Sequence, residues 1–236
     1  MKFIFSILSF VFLTSYSYGK SITVDPQSPA TLEINGPIDF QMTVPMVDNI
    51  VAQAKSGHEI TIVINSPGGE VNAGMYLLSG IELAQARGTK FRCITTGLAA
   101  SMAFQIFSKC DSRYALPNSF MLYHPVRITI GGGVFSEAVH LTPVLAKQLS
   151  DELARMDAFL VADLRKSMKV SDETFNRNYT NETLLLAREV NADSPNWLTL
   201  VNDVSGISTI TFGKSNKLEL KKSNKIKIMH ICTSCY

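Results

Sequence analysis

Two successive strand–turn–helix steps between residues 58 and 107 restrict this chain to an α/β architecture. The first begins with His58-Glu-Ile-Thr-Ile-Val-Ile64, a β-branched run typical of a buried strand. It breaks at Asn65-Ser-Pro-Gly-Gly69, and helical spacing returns from Gly74 to Ala86. The second step is strand-like from Lys90 to Thr95, turns through small residues from Gly97 to Ser101, and enters an apolar helix from Met102 to about Phe107. Upstream, Ser21 to about Asp39 reads as short extended pieces, with Thr31-Leu-Glu-Ile34 alternating before an Asn35-Gly36-Pro37 turn. Apolar residues at Val44, Val47, Ile50, Val51 and Ala54 predict a helix over 43–55. Downstream, Phe120-Met-Leu-Tyr123 predicts another strand. Leu145, Leu149, Leu153, Met156, Leu160, Leu164 and Met168 then predict one long helix, amphipathic throughout.

With 236 residues, one domain with a substantial core is expected. A hydrophobic fraction of 46% and a formal charge of +2 exclude a disordered chain and a strongly basic nucleic-acid binder. Met1-Lys2, an apolar run from Phe3 to Leu13 and then Ser17-Tyr18-Gly19 have the three parts of a secretory signal, with cleavage expected after Gly19. The run is too short for a comfortable membrane span, and no stable span is expected once the signal is cleaved. The expected location is therefore periplasmic or secreted, where disulfides are permitted. The four cysteines, Cys93, Cys110, Cys232 and Cys235, allow three full pairings that spacing does not choose among. Cys93 sits in an apolar stretch and reads as an ordinary buried residue. Cys232-Thr-Ser-Cys235 is open to a local disulfide, a redox pair or half of a zinc site, and lacks the second ligand pair that zinc needs. From Ile207, three alternating segments with lysine-rich turns predict a small β meander whose lysines protect its edges.

Three features carry chemistry. The Gly-Gly pair after a buried strand lets the backbone approach a ligand and suits oxyanion binding. In Gly97-Leu-Ala-Ala-Ser101-Met-Ala103, a serine stands where a strand turns into a helix N-terminus, which favours developing negative charge. His124 ends a strand just before Pro125, a position suited to a general base. His58, His140 and His230 are expected to be structural or exposed.

In this order, Ile64-Asn-Ser-Pro-Gly-Gly69 with Gly74, Gly97-Leu-Ala-Ala-Ser101-Met-Ala103, and Leu116-Pro-Asn-Ser119 followed by His124 resemble the Clp protease proteolytic subunit. Its wider superfamily also contains signal peptide peptidase A and the crotonase-like acyl-CoA enzymes. The resemblance covers about residues 33 to 205. It implies a spiral of β-β-α units, with residues 131 to 168 as the handle through which rings stack, and hence a ring-forming homo-oligomer. It also implies Ser101 as nucleophile, His124 as base, and the Gly69 and Met102 amides as oxyanion donors. Chemistry of this kind needs no metal or organic cofactor. The family's third triad member is an aspartate; aligning Ser171, Glu173, Phe175 and Arg177 puts Glu182 at that position, with Asp172 and Asn181 as reserves.

The expected division is a signal peptide at 1–19, a peptidase domain at 20–206 and a C-terminal β extension at 207–236. The expected activity is an exported serine peptidase that cleaves peptides or unfolded segments without an ATP-driven unfoldase. Two alternatives stand beside it: a non-catalytic ring or partner-binding pseudoprotease, and a crotonase-like acyl-CoA enzyme.

Overall fold

The computed structural model describes residues 20–127 and 142–205. The expected signal peptide, the glycine run at 131–133, His140, the C-terminal meander with His230, and the Cys232/Cys235 pair lie outside the described residues.

In chain order the elements are β1 (Lys20–Thr23), β2 (Thr31–Asn35), α1 (Phe40–Gln53), β3 (Glu59–Ser66), α2 (Val71–Ala86), β4 (Lys90–Ala100), α3 (Met102–Lys109), β5 (Ser112–Ala115), β6 (Phe120–Leu122), α4 (Pro143–Ser167), α5 (Asp172–Thr180), β7 (Leu185–Leu186), α6 (Ala187–Asp193) and β8 (Thr199–Ser205). The sheet runs β1-β8-β5-β4-β3-β2, with β6 also paired to β4 and β7 to β6. Every pairing is parallel except β6 with β7, so consecutive neighbours need crossovers, and α1, α2 and α3 supply them. This is the α/β class expected, with a curled sheet consistent with a Clp-like fold.

Alternation along β3 divides the core. Ile60, Ile62 and Ile64 join the main cluster with Leu77, Phe91, Phe104 and Phe107, whereas Val63 turns to the other face and packs with Val24 and Ile94. The first helix starts three residues earlier than its spacing suggested, because the Asp39 side chain caps it by accepting the Met42 N–H at 2.8 Å. Its buried face is Thr43, Met46, Val47 and Ile50; Val44, expected inside, is exposed.

The second strand is longer than expected. Gly97 to Ala100 continue β4, because Leu98, Ala99 and Ala100 pair with Phe120, Met121 and Leu122. Pairing with a neighbour overrides the poor strand propensity of these small residues. The long helix is present as α4, but only Leu160, Leu164 and Met168 of its stripe are buried. Leu145, Leu149, Leu153 and Met156 are half-buried. Cys93, buried as expected, is bonded to Cys110.

Candidate active site

Ser101 occupies the single residue between β4 and α3, at φ 55° and ψ −125°. A non-glycine residue at positive φ is strained and is held only by surrounding structure. Here its N–H donates to Leu122 O at 2.8 Å, and its carbonyl accepts from Phe104 and Gln105 as α3 begins. The register that pairs Ala100 with Leu122 brings the chain two residues beyond Leu122, at His124, alongside this turn. Tyr123 anchors it: the ring is buried, stacks on Phe104 at 5.2 Å and meets Phe175 at 5.1 Å, and its hydroxyl accepts from Asn178 at 3.3 Å.

The glycine pair lies against the same turn. A Cβ on Gly68 would come within 2.7 Å of Ala100 O and of Ser101 Cβ and within 2.9 Å of Met102 N, so only glycine permits this approach. Ile38 donates to Gly68 O and accepts from the Glu70 N–H, which leaves the Gly69 N–H facing away from Ile38. Gly74 on α2 makes room for the Met102 side chain, whose Cγ would lie 2.1 Å from an added Cβ. Met102 opens α3, where unpaired N–H groups gather.

Ser101 and His124 line one small cavity of about 20 Å³ with Val71, Gln105, Leu160 and Leu164. A neighbouring groove of about 320 Å³ shares Val71 and Leu160 with it and adds Met75, Met156 and Phe159. The Ser101 hydroxyl and the His124 ring share the cavity without a direct hydrogen bond. Gln105 is buried there; its Nε2 donates to Leu160 O, while its Oε1 has no partner among the described residues.

His124 Nδ1 lies 2.7 Å from Pro125 O. A carbonyl only accepts, so Nδ1 carries the proton and the neutral ring presents Nε2 as a base. Burial lowers the imidazole pKa below its ordinary 6.5, and Arg127 adds to that, while the Pro125 carbonyl and Asp157 oppose it. Glu182, at positive φ just after α5, pairs with Arg127 rather than with His124. Asp172 pairs with Arg165, and Asn181 ends α5 as its C-cap. His58 is half-buried, with Nε2 3.3 Å from Gln53 Oε1. The described residues hold no cluster of three or more His, Cys, Asp or Glu arranged to bind a metal ion, and none of the described helices is long and apolar enough to cross a membrane.

The Clp protease family model matches residues 27–192, more than half of the chain. The chain belongs to the Clp protease family. Among similar proteins named "ATP-dependent Clp protease proteolytic subunit 1", that of Chlamydia muridarum is 31% identical over 125 residues, covering 52% of this chain and 62% of the relative. The Chlamydia abortus protein is 32% identical with the same coverage. That of Chlamydia caviae is 34% identical over 109 residues, covering 45% of this chain and 54% of the relative. The chain thus spans about three-fifths of the length of the curated relatives it matches.

The structure brings Ser101, Met102 and His124 to one cavity, sets Gly69 next to the Gly68 that presses on the Ser101 turn, and gives Glu182 another partner. The sequence reading missed Asp157. It stands three residues before Leu160 and four after Leu153, so it is an acid set into the apolar stripe of α4. That irregularity was visible, but its meaning depends on which loop packs against the helix.

Proposed function

We propose that the chain is a serine peptidase acting by acyl transfer. His124 Nε2 takes the Ser101 hydroxyl proton as Oγ attacks a peptide carbonyl, and the Gly69 and Met102 amides hold the tetrahedral oxyanion. Collapse breaks the C–N bond and the amine leaves with the proton from His124; water then gives a proton to His124 as it attacks the acyl-Ser101 ester, the acyl C–Oγ bond breaks, the peptide acid leaves and Oγ takes that proton back. The observation carrying this reading is the strained Ser101 turn, which shares a cavity with His124 and presses against Gly68.

The substrate class is short peptides or already unfolded segments, cleaved without an ATP-driven motor, because an exported copy has neither ATP nor an unfoldase. The buried Cys93–Cys110 bond supports export to an oxidising compartment. The half-exposed stripe of α4 supports assembly into a ring through that helix. One observation favours a non-catalytic relative instead: the Glu182 carboxylate is taken by Arg127. Hydrolysis of an unstructured fluorogenic peptide, without nucleotide, separates the two. The peptidase reading expects turnover in the native chain that is lost in Ser101→Ala and in His124→Ala; equal rates in all three proteins would contradict it.

A further inference from the structure

The Pro125–Val126 peptide group has both of its polar ends engaged. Its carbonyl oxygen accepts from His124 Nδ1 at 2.7 Å, and its N–H donates to Asp157 Oδ1 at 2.9 Å. The hydroxyl of Tyr179 donates to the same Oδ1. Burial and this carboxylate both push the Tyr179 phenol pKa up, so it remains a donor across ordinary pH. Tyr179 is itself held by stacking on Phe175 at 5.6 Å and on Tyr123 at 6.4 Å. A carboxylate on α4, a phenol on α5 and the loop after β6 thus converge on one peptide next to the candidate base.

We propose that Asp157 is the positioning carboxylate of the Ser101–His124 pair, acting through the intervening Pro125–Val126 peptide. The proposal rests on the hydrolase reading of Ser101. Hydrogen bonds in series polarise one another: a carboxylate on the N–H end of an amide makes its carbonyl end a stronger acceptor. When His124 Nε2 takes the Ser101 proton, the positive charge reaches Nδ1–H and is met by that strengthened carbonyl. The usual direct contact between carboxylate and imidazole is replaced by one with a peptide inserted. This accounts for the correct tautomer while Glu182 is engaged elsewhere.

Among the described residues, the charged and titratable groups around His124 are Tyr123, its neighbour lining the same cavity, Arg127 on its own loop, Asp157 on α4, Tyr179 on α5, and Glu182 on Arg127. Val71, Gln105, Leu160 and Leu164, which line its cavity from α2, α3 and α4, are uncharged.

The test pairs rate–pH profiles of peptide hydrolysis with titration of the His124 ring by NMR in a Ser101→Ala background. Asp157→Asn keeps an acceptor for Val126 but removes the charge. It is expected to lower the plateau rate about ten- to a hundredfold, as when a group that orients a metal-bound imidazole is lost, short of the ~10⁴ for a carboxylate in direct contact. The acid limb and the His124 titration should move to lower pH. Tyr179→Phe removes a donor that competes with Val126 for Asp157 Oδ1 and should move both by less and to higher pH, and Asp157→Glu should recover part of the loss. Glu182→Gln should lower the rate less than Asp157→Asn. A folded Asp157→Asn protein with an unchanged His124 titration overturns the proposal, as does a larger effect from Glu182→Gln. If Asp157→Asn does not fold, an unshifted titration in Tyr179→Phe overturns it equally. If the native chain hydrolyses nothing, the peptidase reading fails, and the titration alone still decides whether Asp157 couples to His124.

Discussion

Gly68 shows how little room the candidate site leaves. Its φ of 94° and its approach to Ser101 and Met102 exclude any side chain. Gly68→Ala should push apart the two turns that carry the proposed oxyanion donors, Gly69 after β3 and Met102 after β4, costing about 10²–10³ in kcat, as for loss of one such donor; peptide hydrolysis kinetics on protein of native circular dichroism check this. The pH dependence follows from His124. Only the neutral ring accepts a proton, so activity is expected to fall on acidification through a pKa held below 6.5 by burial. Arg127→Gln removes a cation that lowers this pKa, so the pKa rises and the acid limb of kcat/KM moves to higher pH. An unmoved limb would show that Arg127 does not act on the base. Ser101, His124, Gly69 and Met102 were legible as candidates because each stands inside a short motif whose chemistry is local. Asp157 was not, because its partner is a peptide N–H 31 residues away and nothing in the helix sequence names that loop.

At the scale of elements, the Cys93–Cys110 bond ties β4 to the residue following α3 and encloses the Ser101 turn in its loop. Closing a loop with a sequence separation of 17 is worth about 3 kcal/mol through the unfolded chain. Replacing both cysteines by alanine should therefore lower stability to denaturant by about that amount, read as a drop in midpoint at constant slope. An unchanged midpoint would mean that packing alone holds the turn. The strand–turn–helix alternation from β3 to α3 was readable because β-branched runs and helical spacing are local signals. The end of β4 was not, since its alanines join the sheet only by pairing with β6. α5 was missed although Ser171, Asp172 and Glu173 form a recognisable helix start; with only Phe175 and Asn178 buried, the segment has almost no apolar period. The residues of β5 and β8 become strands by pairing with each other and with β4 and β1.

At the scale of the whole molecule, α4 is docked at its C-terminal end and carries exposed Val144 and Phe159 beyond the core. Assembly through this helix predicts a native mass several times that of the chain, reduced by Leu149→Glu with Leu153→Glu; a monomeric mass in the native chain would remove the ring from the account. Peptide cleavage reports the whole machine, including its assembly, whereas the central claim concerns one hydroxyl. Reaction of the folded native chain with a fluorophosphonate, followed by peptide mapping, tests that hydroxyl directly. The account predicts one adduct on Ser101, absent in Ser101→Ala and formed far more slowly in His124→Ala; no adduct at any pH, or an adduct that survives Ser101→Ala, would contradict it.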